Sequence, residues 1–426
     1  MPLHVPTAVI VLAVIALAVQ GLTLFLAFFR PDLPYHVEGE LPDPGSADFE
    51  RLLTTLTDTG LHHGNRVEVL TNGGCFYESE LNAIAAAAQT INLEAYIFHR
   101  GQIGERFVKA LAERARAGVR VNLTVDYIGS FSTTRGFFRD LTDAGGRVEW
   151  YHSLRPDVLL SINNRTHREL MIIDGKTAFI GGAGIADQWY RPMHKQPAWR
   201  DTVFRVEGPV VNSLQASFAE NWLRVAGEVL TGPEYFAFEP SEHGSAGIVI
   251  TSTPAAGSTR ARILYQLLIA AARRRIYITT PYFLPDRSAR RAMRRAAQER
   301  GVEIKILTPG RRSDHMLTRA SARRLYGRVI KGGAEIYEYE PTMLHAKVMI
   351  VDDLWSVVGS TNFDHRSFEL NDEVNLCMCD PRIAARLTED FHRDLKHARE
   401  ISYDEWRRNI VLRLSDWLAA PLEKQQ

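Results

Sequence analysis

The chain of 426 residues repeats itself once. Glu94-Ala95-Tyr96 is answered by Thr280-Pro281-Tyr282, Arg147-Val148-Glu149-Trp150 by Ala334-Glu335-Ile336-Tyr337, and His167 by His345. Tyr96 and Tyr282 are 186 positions apart and His167 and His345 are 178 apart, so nearly one offset serves both pairs. That period is far too long for a solenoid and is the size of a whole domain. Within each copy, strand-like and helix-like patterns alternate. The first copy predicts strands over Ile91 to Phe98, Val119 to Val125 and Gly146 to Tyr151, with helices over Gly104 to Ala117 and Arg135 to Ala144. The second predicts strands over Arg275 to Thr279, Val302 to Leu307 and Ala334 to Tyr339, with helices over Asp286 to Gln298 and Asp314 to Ile330. Such a rhythm implies an α/β fold with a largely buried sheet. Two duplicated α/β halves facing each other across one central cleft is the natural arrangement.

Outside the repeat lie three further segments. Val5 to Phe29 contains no charged residue over 25 positions, against about 20 needed to span a bilayer. A cleaved signal peptide calls for a basic start and a shorter apolar core. Met1 to His4 carries neither Lys nor Arg, and the apolar run continues well past the small residues Ala16-Leu17-Ala18. The segment therefore reads as an uncleaved N-terminal transmembrane helix, passing once through the cell membrane. Its orientation is not specified, because Arg30 is the only basic residue nearby. The expected organisation is an anchor over 1–30, a linker over 31–65 with one short helix near Ala47 to Thr59, halves over 66–240 and 241–400, and a C-terminal amphipathic helix and tail over 401–426. In that tail Trp406, Ile410, Val411, Leu414, Trp417 and Leu418 fall at helical spacing. Packing against the body is the default reading, and a helix lying on the bilayer is the alternative. The three cysteines, Cys75, Cys377 and Cys379, form no C-x-x-C pair, which argues against the usual zinc site and against a disulfide framework. Cys377 and Cys379 read as small core residues of a strand.

The chemistry sits after the last strand of each copy. The second copy reads His345-Ala346-Lys347-Val348-Met349-Ile350-Val351-Asp352, then Gly359-Ser360-Thr361-Asn362. Strand alternation puts His345 and Lys347 on one face. An imidazole beside an ammonium suits a phosphate: one attacks or protonates while the other neutralises charge. Asn362, with Ser360 beside it, adds uncharged donors. The first copy reads His167-Arg168-Glu169-Leu170-Met171-Ile172-Ile173-Asp174, then Gly181-Gly182-Ala183-Gly184. Here Glu169 takes the lysine position and Gly184 the asparagine position.

The second copy is similar to the H-x-K-x4-D motif of the phospholipase D superfamily. TPYFLPD (Thr280 to Asp286), ILTPGRRSDH (Ile306 to His315), IYEYEPTMLHAK (Ile336 to Lys347) and VGSTNFDHRSFELNDE (Val358 to Glu373) resemble its cardiolipin synthase-like branch, and the likeness runs from about Glu68 to Ala398. The resemblance implies a phosphatidyltransferase that converts phosphatidylglycerol to cardiolipin through a covalent phosphohistidine. One histidine attacks phosphorus, and the other serves first as acid and then as base, with no metal or cofactor. The family pattern assigns attack to His167 and acid–base work to His345. It also implies a downstream carboxylate behind each ring, by position Asp201 for His167 and Glu373 for His345. Asp174 and Asp352, the last members of the motif, are expected to fix loops rather than touch substrate. Tyr96 and Tyr282 are expected beside the substrate. Water in place of the second alcohol would make the enzyme a phospholipase, and the superfamily also contains nucleases.

Glu169 departs from this pattern. A carboxylate on the face of His167 would repel phosphate. The open readings are an active variant in which Lys347 and an arginine such as Arg165 or Arg200 hold the phosphate, a role for Glu169 in positioning an alcohol, or a weakened or dead site that leaves a silent lipid-binding protein. Arg168 cannot substitute, because alternation points it the other way. Residues 271–331 carry 17 Lys or Arg against 4 Asp or Glu. Beside a membrane anchor, that surplus favours anionic phospholipid over nucleic acid as partner.

Overall fold

The computed structural model describes residues 35–152, 164–193, 195–237, 244–253 and 260–408. The apolar N-terminal stretch and the C-terminal segment beyond Arg408 lie outside them. Among the described residues no helix is long and apolar enough to cross a membrane.

Strands of the first half are β1 (His62–Thr71), β2 (Thr90–Ala95), β3 (Arg120–Asp126), β4 (Arg147–Tyr151), β5 (Arg165–Thr166), β6 (Leu170–Ile173), β7 (Thr177–Gly181) and β8 (Thr202–Glu207). Those of the second are β9 (Ser245–Ser252), β10 (Arg275–Thr279), β11 (Glu303–Pro309), β12 (Glu335–Tyr339), β13 (Val348–Val351), β14 (Trp355–Gly359), β15 (Asn371–Cys379) and β16 (Ala398–Glu400). They form one sheet in the order β4-β3-β2-β6-β7-β8-β1-β9-β15-β14-β13-β10-β11-β12-β16, with β5 paired to β15. Up to the added edge strand β16, the order reads the same outward in both directions from the β1–β9 pair, which is the duplication seen in space. The halves therefore do more than face each other: β1 pairs with β9 through His62↔Gly247 and Asn65↔Ser245 and makes their sheets continuous. The β2-β3-β4 and β10-β11-β12 ladders are parallel, as their intervening helices require.

Helices cover both faces, so the central strands are buried on both sides. One apolar layer backs the first half and another the second. A third is shared: Leu214, Phe218 and Trp222 of the helix Val210–Ala226 join Ile383, Leu387 and Phe391 of the helix Pro381–Leu395 in one cluster with strand residues of both halves. Separating the halves would expose this core to water, which costs roughly 25 cal/mol for each Å² of apolar surface.

Local chemistry sets the element ends. Asp286 caps the helix Arg287–Arg300, its side chain accepting from Ala289 N–H at 2.7 Å. The short helix expected in the linker is Ala47–Thr57, capped by Ser46. The strand expected over Ile91 to Phe98 stops at Ala95, because the next two amides, of Tyr96 and Ile97, donate to the Glu169 side chain instead of a ladder. The basic run is partly consumed by structure: Arg319 and Arg323 pair with the fully buried Glu338. The C-terminal helix is described over Tyr403–Arg408, where Trp406 donates to the Arg323 carbonyl at 2.7 Å and packs on the body.

Candidate active site

The two histidine motifs converge on one cavity of about 780 Å³, walled by Tyr96, Arg165, His167 and Glu169 from the first half and by Tyr282, His345, Asn362 and Arg366 from the second. Neither histidine lies in a ladder. β6 begins at Leu170 and β13 at Val348, later than alternation within a strand would have it. The extended segments before them cross to the other half instead. His167 N–H donates to the Asp372 carbonyl at 2.8 Å, and His345 N–H donates to the Arg200 carbonyl at 2.8 Å.

Those crossings decide which carboxylate serves which ring. Asp372 precedes Glu373 and Arg200 precedes Asp201, so each histidine meets the acid of the opposite half. His167 Nδ1 lies 3.0 Å from both oxygens of Glu373, and His345 Nδ1 lies 2.9 Å from Asp201 Oδ2. The pairing expected from chain order, Asp201 with His167 and Glu373 with His345, is thus reversed. A carboxylate only accepts, so each Nδ1 carries the proton and Nε2 is the nitrogen left for substrate.

Both acids are braced. Asp201 also accepts from Trp189 Nε1 at 3.0 Å and from Thr202 N–H at 2.8 Å. Burial raises its pKa, but the hydrogen bond and charge of His345 prevail and hold it below the usual range. Glu373 accepts from the Ser360 hydroxyl and from Asn371 Nδ2 at 3.3 Å. Ser360, expected to bind substrate, is fully buried and instead orients Glu373. Aromatic rings flank the imidazoles: Tyr96 stands edge-on to His167 at 5.1 Å, and Trp189 and Trp199 lie 5.2 and 5.7 Å from His345. The motif spacing does not mark the tryptophans, although Trp199 lies just two positions before Asp201.

Lys347 is buried against His345. Its Nζ donates to the His345 carbonyl at 2.9 Å and lies 2.8 and 3.0 Å from the two ring nitrogens. Gly182 makes room for it, since a Cβ there would come within 2.6 Å of Lys347 Cδ. Burial pulls the ammonium pKa down to about 8. Burial, and then the Lys347 charge, lower that of His345.

Glu169 shares the cavity wall with His167, as alternation implied. Burial pushes its carboxyl well above the ordinary range, against the two amide bonds and Lys347, which pull it down. A neutral carboxyl does not repel phosphate and has a proton to donate. Gly184 is the counterpart of this choice. A Cβ at 184 would lie 2.6 Å from the Ile97 carbonyl and 2.9 Å from Glu169 Oε1, so Glu169 occupies the space an asparagine would need.

Of the two arginines considered for phosphate, Arg165 lines the cavity. Arg200 does not: it is spent on Asp394 at 2.8 Å, on the Asp201 carbonyl and on Thr202. Arg168 points away, buried against the Ser217 carbonyl and Glu220. Asp174 and Asp352 sit at the far end of the strands. Asp174 accepts from the amides of Ala88, Gln89 and Thr90 at 2.7–2.8 Å, and Asp352 from those of Arg273, Arg274 and Arg275 at 2.7–2.9 Å. These motif aspartates clamp the starts of β2 and β10.

A duplicated α/β sheet whose paired histidine motifs meet in one cavity defines a phospholipase D-like protein. The family model described as "Cardiolipin synthase, PLD-like domain" matches residues 81–222 and 265–395, and the chain belongs to that family. It is 35% identical over 358 residues to the major cardiolipin synthase ClsA of Bacillus subtilis, covering 83% of this chain and 73% of that one. It is 34% identical over 347 residues to cardiolipin synthase A of Pseudomonas fluorescens, covering 80% and 71%. Among solved structures, phosphatidylserine synthase of Haemophilus influenzae superposes with a TM-score of 0.67 at 14% identity, covering 88% of this chain and 99% of that one, a likeness of fold.

Proposed function

We propose that this chain is a membrane-anchored phosphatidyltransferase that makes cardiolipin and glycerol from two phosphatidylglycerols. The observation that carries the reading is the pair of cavity-lining imidazoles, each with Nδ1 held by a carboxylate of the other half. Named cardiolipin synthases among the relatives support the substrate class. The uncharged stretch 5–29 anchors the chain by a single pass, and the halves 66–240 and 241–400 share one reaction.

His167 Nε2 attacks phosphorus of the first phosphatidylglycerol. The P–O bond to glycerol breaks, and His345, entering the cycle as the imidazolium with Nδ1–H held by Asp201, gives its Nε2 proton to the departing alkoxide. Glycerol leaves a phosphatidyl group on His167, and the bond energy is kept. A terminal hydroxyl of the second phosphatidylglycerol then gives its proton to His345 and attacks phosphorus. The P–N bond breaks, cardiolipin departs and both rings return to their starting states. Glu373 and Asp201 hold the rings and stabilise the charge each acquires. Arg165, Asn362 and the protonated Glu169 face the phosphate oxygens or the incoming hydroxyl.

Full-length solubilised protein is incubated with phosphatidylglycerol in the presence of a chelator, and the lipids are resolved. Cardiolipin with one glycerol per cardiolipin is expected. Phosphatidic acid as the sole product would replace transfer with hydrolysis. Cleavage of nucleic acid without lipid turnover would refute the proposal.

A further inference from the structure

The cavity mouth carries exposed apolar side chains that folding alone does not explain. Of the seven large apolar residues exposed among the described residues, three line the cavity, Ile128, Met316 and Leu317, and a fourth, Phe131, follows Ile128 in the same loop. They come from matching places. Ile128 and Phe131 follow β3, Met316 and Leu317 follow β11, and these strands occupy equivalent positions in the two halves. The first loop is built to display its side chains. Asp126 accepts from the amides of Ile128 and Gly129 at 2.9 Å, while Ser130 donates to the Tyr96 carbonyl at 2.9 Å and accepts from Phe98 N–H at 2.8 Å. Phe131 projects from this fixed frame, 78% exposed.

We propose that the loop after β3 and the first turn of the helix Met316–Lys331 form a lip that inserts into the phospholipid bilayer, seating the cavity mouth on the membrane so that headgroups reach the histidines without the lipid leaving it. The inference deepens the reading above and rests on its bilayer substrate. Two further observations favour a membrane as the occupant. Arg311 and Arg312 are exposed just before Met316, which suits an anionic surface around an apolar wedge. The chain also arrives from that side. The Tyr35 hydroxyl donates to Asp286 Oδ2 at 2.7 Å, and Tyr35 N–H donates to Ser288 Oγ at 3.1 Å. These partners stand at the start of the helix that follows β10, the same end of the sheet as the lip. From there the six residues back to the apolar stretch span at most about 20 Å.

Depth-dependent quenching tests the lip in the full-length chain reconstituted into phosphatidylglycerol-containing vesicles. A fluorophore is attached through F131C, with the exposed Cys75 replaced by serine, and quenched by spin-labelled acyl chains. Val229 supplies the control. It is 65% exposed, and its neighbours Glu228 and Glu234 pair with Arg147 and Arg120 at the opposite ends of β4 and β3. Strong quenching at 131 and none through V229C is expected. Equal quenching at both positions, or none at 131, would overturn the proposal. In turnover, F131D is expected to lose about tenfold on vesicle phosphatidylglycerol, the scale of one phenylalanine withheld from an apolar phase, and to match the parent on a monomeric short-chain analogue. Equal loss on both substrates would assign Phe131 a purely structural part and also overturn it. An unaltered chain with no turnover would sink the transferase reading, while the quenching result would still decide the lip.

Discussion

Glu169 and Gly184 depart from the second motif together, and the structure makes them one change. A Cβ at 184 would stand 2.6 Å from the Ile97 carbonyl, 2.7 Å from Ile97 Cβ and 2.9 Å from Glu169 Oε1, where carbon contacts settle at about 3.5–4.0 Å. Ile97 cannot easily withdraw. Its amide donates to Glu169 at 3.2 Å, and its carbonyl accepts from Ile185 N–H at 2.7 Å. Forcing a side chain into such a site typically costs about 1–3 kcal/mol. Gly184→Ala is therefore expected to destabilise by that amount, and Gly184→Asn by at least as much. Glu169→Lys removes the acceptor that pins Tyr96 and Ile97 and lets their segment move. The E169K/G184N double variant should then be more stable than the sum of the single effects implies, by about 0.5–3 kcal/mol, the usual range for contacting residues. Glu169→Gln, which keeps the shape and the neutrality, should retain most transfer activity. Chemical denaturation of the solubilised variants gives the four stabilities, and the phosphatidylglycerol assay gives the activities. Additive single effects, or a G184N chain as stable as the parent, would refute the reasoning.

Lys347 sets an alkaline limit. Its pKa lies at about 8, so the ammonium is charged below that pH and is lost as pH rises through it. Transfer activity should fall across the same window, and Lys347→Arg, charged throughout, should move the limb upward in a pH–rate profile. Ser360 donates to Glu373 and accepts from Val374 N–H at 3.1 Å. Ser360→Ala should lower turnover about tenfold with little change in KM, the scale of one lost hydrogen bond to a charged group, as steady-state kinetics would show. Asp352→Asn keeps a side chain that tolerates the left-handed backbone at φ 53° but loses charge and acceptor capacity toward three amides. Denaturation should show a loss of about 1–3 kcal/mol, while turnover of the folded protein is unchanged.

Local features of the fold were legible because local periodicity encodes them. β10 spans the expected Arg275 to Thr279, and Asp286 caps the helix it was expected to open. The duplication was legible from its offset, and the convergence of His167 with His345 followed from it. Three things were not legible. The carboxylate pairing depends on β5 lying against β15 and Arg200 against Leu344, contacts between halves that chain order does not encode. The early end of β2 depends on a side chain from another segment taking its amides. The raised pKa of Glu169 depends on burial, which a single residue in a motif does not declare. The uncharged stretch 5–29 and the residues beyond Arg408 lie outside the described residues.

The crossed arrangement of histidine and carboxylate is tested most directly by trapping the covalent intermediate. Phosphatidylglycerol labelled at phosphorus is mixed with each variant, quenched within the first turnover and digested, and the labelled peptide is sequenced. Label is expected on His167. It should persist in His345→Ala and Asp201→Asn, where the ring that is lost or unsupported is the proton carrier. It should vanish in His167→Ala and fall sharply in Glu373→Gln. Label on another residue in the parent chain, or its loss in D201N with retention in E373Q, would contradict the account.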